Sequence, residues 1–160
     1  MNRTLLSLGL AAATVAFTIP ARAFAQAAIP AAEHEMTVAA VRAVEDHWSR
    51  AELDGEIGYL DQLLLPEYRS VSPDGSVHPK AAIIAGAKKN AANRAAAQAA
   101  VDSFLKAHPW RTDVVLQGNT AVITFVSLVP ASHDAIRGAD IFVFANGAWH
   151  AIYSTHQNAQ

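Results

Sequence analysis

Apolar and polar positions alternate along this chain with two different periods, and the change of period divides it. Val38, Val41, Val44, Trp48 and Ala51 recur at spacings of three and four, drawing one apolar stripe down a helix. Thr37 stands where an N-cap belongs, and Asp54-Gly55 is a stop. Arg42, Asp46, Ser49 and Arg50 lie off the stripe, and His47 beside it reads as a surface residue. A short second helix is expected over about Glu56 to Leu64, stopped by Pro66. Tyr68 to Ser72 alternates, Pro73-Asp74-Gly75-Ser76 signals a turn, and Val77-His78 returns, which predicts a small hairpin. Pro79 suits the first turn of an Ala-rich third helix running to His108. Gly86, Asn90 and Asn93 predict a break in it near 86–94.

Beyond Pro109 the period is two. Strands are expected over Thr112–Gln117, Thr120–Leu128, Ala139–Phe144 and Trp149–His156, with tight turns at Gly118-Asn119 and Asn146-Gly147. Short connections make these an antiparallel meander. In Ala121 to Val126 and Ile141 to Phe144 both alternating faces are apolar, whereas a sheet with one wet face alternates cleanly. Both faces are therefore expected to be covered: one by the helices, the other by a second copy of the chain in a homodimer.

The first residues break both patterns. Arg3 precedes an uncharged apolar run from Leu5 to Ile19, and Ala21-Arg22-Ala23, Ala23-Phe24-Ala25 and Ala25-Gln26-Ala27 each satisfy the A-x-A rule for signal peptidase. Residues 1–25 are expected to be a signal peptide, 26–36 a flexible leader, and 37–157 one domain. The run is shorter than the roughly 20 residues of a spanning helix, so no membrane anchor is expected after cleavage. The mature protein is then periplasmic or secreted. The chain has no cysteine, which excludes disulfides, thiol nucleophiles and thiolate metal sites. Removing Arg3 and Arg22 from 12 basic residues leaves 10 against 14 acidic ones, a mature net charge of −4. That balance argues against nucleic acid, which needs a basic face. No histidine spacing marks a metal site, and no Gly-rich loop marks a nucleotide, so neither metal nor cofactor is expected.

Several segments, taken in order, resemble one family. Val44-Glu45-Asp46-His47-Trp48-Ser49-Arg50-Ala51 with Asp54-Gly55 is similar to the opening helix of the NTF2-like superfamily (SnoaL-like, DUF4440 domains). Tyr68 to Gly75 resembles its first hairpin, and Ala139-Asp140-Ile141-Phe142-Val143 with Asn146-Gly147-Ala148-Trp149 its closing one. The resemblance covers residues 37 to 156. It implies an α+β cone: a curved antiparallel sheet, four-strand meander plus small hairpin, packed on three helices. It implies a pocket at the wide end of the cone and leaves function open, because fold does not fix function.

Acid–base work in such a pocket needs a carboxylate or imidazole in apolar surroundings, where desolvation moves its pKa toward neutrality. Asp140 begins an otherwise apolar strand and shares a face with Phe142 and Phe144. Asp140 and His156 are the catalytic candidates. Trp48, Tyr68, Phe142 and Tyr153 are the candidate ligand-binding residues. On a regular final strand His150, Ile152, Ser154 and His156 share one face, while Trp149, Ala151, Tyr153 and Thr155 share the other. Periodicity leaves open which face looks inward. Three readings follow. The first is a protein that binds a small apolar molecule. The second is a cofactor-free isomerase, dehydratase or cyclase, and the third is an interaction domain with a filled cone. An apolar cavity points to the first, a buried acid beside a tyrosine to the second, and no cavity to the third.

Overall fold

The computed structural model describes residues 30–130 and 135–157. The expected signal peptide lies outside them. Four helices and six strands follow in the order α1 (Val38–Asp54), α2 (Ile57–Leu63), β1 (Leu64–Val71), β2 (Val77–Pro79), α3 (Lys80–Ala92), α4 (Arg94–Ala107), β3 (Trp110–Gln117), β4 (Thr120–Ser127), β5 (Ile136–Ala145) and β6 (Ala148–His156). The strands form one sheet in the order β2-β1-β6-β5-β4-β3. It is curved and unclosed, and the helices lie against its inner face. This is the α+β cone.

Local chemistry accounts for most boundaries. The Thr37 side chain accepts from the Ala40 amide and caps α1, and Gly55 ends it in the left-handed region at φ 71°. Asn146 and Gly147 both take positive φ, as the tight β5–β6 hairpin requires. The core is the α1 stripe (Val41, Val44, Trp48, Ala51) and the α2 residues Tyr59, Leu60 and Leu63. These are packed on Leu64, Ala121, Ile123, Phe142, Trp149 and Ala151 of the sheet.

The break expected in the long helix falls at Asn93 (φ −132°, ψ 41°) and divides it in two, so the sheet packs on four helices rather than three. Three further features depart from the sequence reading. The sheet is mixed, because β1 runs parallel to β6. Pro66 does not stop α2. It sits inside β1, where the ladder to β6 skips from Leu64↔Ala151 to Arg69↔Tyr153, a gap that accommodates a residue with no amide donor. The end of the expected flexible leader is held. Residues Ala31–His34 form a 3-10 turn in which Glu33 is buried. Glu33 Oε1 lies 2.7 Å from His47 Nδ1, Tyr59 donates to Glu33 Oε2 at 3.0 Å, and Trp149 Nε1 donates to the Glu35 carbonyl at 2.8 Å. His47 is consequently no surface residue: it stacks on Tyr59 at 3.7 Å and its Nε2 meets Glu56.

Candidate functional site

A cavity of about 320 Å³ opens between the inner face of the sheet and helices α1, α3 and α4. Three structural facts build its polar side. First, β-alternation places Asp140 on the inner face together with Phe142. The strand register then lines up Ser70, Ser154, Asp140 and Ile123 as one row across β1, β6, β5 and β4. Second, β6 carries a bulge. Its partners jump from Ile141↔Tyr153 to Phe142↔Ala151, which reverses the facing of the strand at Ile152-Tyr153. Trp149 and Ala151 therefore face inward at one end, and Ser154 and His156 face inward at the other. Third, α1 presents Glu45, Trp48, Ser49 and Glu52 to the cavity. Their spacing of three, one and three puts them on one helical face.

The sequence candidates separate accordingly. Asp140, His156, Trp48 and Tyr68 all line the cavity. Phe142 does not: it is fully buried beneath it, edge-on to Trp48 at 5.9 Å. Tyr153 does not either. It pairs with Ile141 and Arg69 on the outer face, because the bulge moves Ser154 into the inward position. Glu45, Glu52, Ser154 and Arg137 also line the cavity and were not singled out by sequence reasoning. A signal for the two glutamates exists: they stand three before and four after Trp48 on the helix.

Asp140 is 5% exposed. Tyr68 donates to Ser154 Oγ at 2.9 Å, and the Ser154 hydroxyl is in turn a hydrogen-bonding neighbour of the Asp140 carboxylate. Burial raises the Asp140 pKa, opposed by Ser154, by the charge of His156 and by the Glu45 carboxyl. Glu45 is raised well above the ordinary range, first by burial and then by the negative charge and hydrogen bond of Asp140. Both carboxyls are thus harder to ionise than free ones, and they titrate as a pair. Apart from the contact of the two carboxyls with each other, Asp140 Oδ1 and Glu45 Oε2 are buried without a hydrogen-bond partner. Burial also raises Glu52, opposed by a 2.7 Å bond from Trp48 Nε1, and it raises Tyr68. Arg137 is buried at the rim and donates to Ser127 Oγ. Among the described residues no group of three histidines or acids has the geometry of a metal site.

No family model matches this chain, and no curated protein matches it. Solved structures do. An NTF-2-like protein of unknown function from Silicibacter pomeroyi is similar at 18% identity over 75% of this chain and 93% of its own, with a TM-score of 0.51. An NTF2-like protein from Cytophaga hutchinsonii shares 14% identity over 74% and 95%, and an NTF2-like protein of unknown function in nutrient uptake from Rhodospirillum rubrum 14% over 75% and 98%, each with a TM-score of 0.50. The chain has the NTF2-like fold.

Proposed function

We propose that this domain is a cofactor-free acid–base enzyme, which moves a proton on a small, largely apolar carbonyl compound. One observation carries the reading. Asp140 is buried on the cavity wall beside the Glu45 carboxyl, and it is linked through Ser154 to Tyr68. Two buried carboxyls side by side oppose each other's charge, and a structural role does not require such a pair. Asp140 takes a proton from carbon next to the carbonyl. The protonated Glu45 carboxyl hydrogen-bonds the enolate oxygen that forms. Asp140 then returns the proton at the same or another carbon, so no redox partner is needed. Tyr68 acts through Ser154, whose hydroxyl orients the carboxylate. Simple binding of an apolar molecule is the second reading, and it needs only the apolar part of the wall.

The test follows α-proton exchange into a panel of small ketones in D₂O by NMR, which detects proton abstraction whatever the product. Asp140→Asn keeps the shape and removes the base, and exchange should fall 10²–10⁴-fold. Exchange surviving within about tenfold would show that Asp140 is not the base.

A further inference from the structure

The cavity has two unlike ends. The carboxyl pair, Ser154 and Tyr68 form one. The other is a run of rings that the proton chemistry does not use. Phe104 lies 4.8 Å from His108 and 5.8 Å from Trp110, and Trp110 lies 5.6 Å from Phe125, with interplanar angles of 48°, 60° and 70°. All four line the cavity. Tilted and edge-to-face rings at these separations are the arrangement in which aromatic groups attract one another.

This run is incomplete as it stands. Phe104 is 50% exposed although it sits at the cavity mouth among three other rings. Its helix, α4, buries no residue at all, and Val101 and Leu105 beside it are exposed too. A core packed for its own sake would enclose the phenylalanine. A ring inserted from the cavity would cover it, with Trp110 and Phe125 as the opposite wall. Placement relative to the acids is fixed by the sheet. Phe125 pairs with Gly138, two residues from Asp140 along β5, which is about 7 Å of strand. That offset is the width of one ring plus the bond to a carbonyl carbon.

We propose that Phe104, Trp110, Phe125 and His108 form an aromatic-ring subsite, and that the substrate is an aryl-bearing carbonyl compound whose ring lies here while its carbonyl reaches Asp140 and Glu45. The substrate class rests on the proposed function of the same site; the ring subsite itself does not.

The experiment compares 2-acetylnaphthalene with its fully saturated decalin analogue, which keeps the carbonyl and the carbon skeleton and loses the flat π-face. Binding is measured by calorimetry on both the wild-type domain and Asp140→Asn. The aryl ketone should bind about fivefold more tightly in both. Phe104→Ala, at a half-exposed position, and Trp110→Leu, which keeps an apolar side chain and removes the ring, should each abolish that preference. Folding of both variants is verified by circular dichroism, and Phe104→Ala alone suffices if Trp110→Leu does not fold. Equal binding of the two ketones, no saturable binding of either, or a preference that survives Phe104→Ala would overturn the subsite. Aryl-selective binding without any α-proton exchange would retain the subsite and retire the acid–base reading. Exchange on small aliphatic ketones without aryl selectivity would do the reverse.

Discussion

Glu45→Gln offers the sharpest test of the shared proton. The substitution keeps side-chain length and shape and replaces an ionisable group by a neutral one. In the wild-type protein Glu45 titrates well above the ordinary carboxyl range, because burial and the Asp140 carboxylate both oppose its charge. The unfolded chain loses this proton near pH 4.3. From there up to the folded-state pKa, the folded protein holds a proton that the unfolded chain has released. Stability therefore falls as pH rises through that window, by about 1.4 kcal/mol per pH unit for one proton. Below it both states are protonated, and no penalty exists. Glutamine has no proton to lose, so the variant should match wild type near pH 4 and pull ahead at that slope as pH rises. For a domain of this size each such increment is worth roughly 5 °C in Tm. Urea unfolding at half-unit steps from pH 4 to pH 8, with m-values checked for constancy, measures the difference directly. Parallel curves, with the same offset at pH 4 and pH 7, would refute a proton held on Glu45.

Two further outcomes are expected. A Cβ at Gly138 would stand 2.5 Å from the Thr155 carbonyl, so Gly138→Ala must push β6 away from β5. It should cost about 1–3 kcal/mol in urea unfolding, and unchanged stability would mean that the strands part freely there. The homodimer expected from the two apolar sheet faces would use the outer one, where Val115 is 66% exposed beside the half-buried Val122 and Val143. Light scattering on residues 26–160 should give twice the chain mass, and a monomer at high concentration would retire the dimer.

The helical half of the fold was readable because its signals are local. Thr37, Gly55 and the α1 stripe act within a few residues of themselves, and each does in the structure what its type dictates. The unread features depend on distant partners. The parallel pairing of β1 with β6 joins residues more than 80 positions apart. The bulge at Ile152-Tyr153 is invisible to a strict period of two, and it alone sends Tyr153 outward and lets both Ala151 and Ser154 face in. Residues 31–35 look aperiodic, yet Glu33 finds His47 and Tyr59 only after α1 and α2 have folded side by side. Glu45 and Glu52 were passed over because a stripe drawn through apolar residues skips charged ones, although Trp48 belongs to both faces.

Two groups of buried acids remain to be told apart, and their hydrogen bonds do so. Around Glu33 each carboxylate oxygen has a partner: Oε1 meets His47 at 2.7 Å and Oε2 receives the Tyr59 hydroxyl at 3.0 Å. A network closed in this way fixes geometry and leaves nothing for a ligand to do. Around Asp140 the network is open. Tyr68 and Ser154 support the carboxylate from the sheet side, while on the helix side the Asp140 and Glu45 carboxyls meet only each other. If the acids here served only to define the fold, glutamine and asparagine would serve with less strain, since two carboxyls side by side in an apolar wall oppose each other's charge. Burial first, and that opposition after it for Glu45, raise the titration of the pair, the kind of shift that acid–base sites carry. Local disagreement between a sequence and its fold concentrates at functional sites. On this inner face the disagreement is the row Ser70, Ser154 and Asp140, set into a wall that toward the other end is Ala151, Phe142 and Trp149.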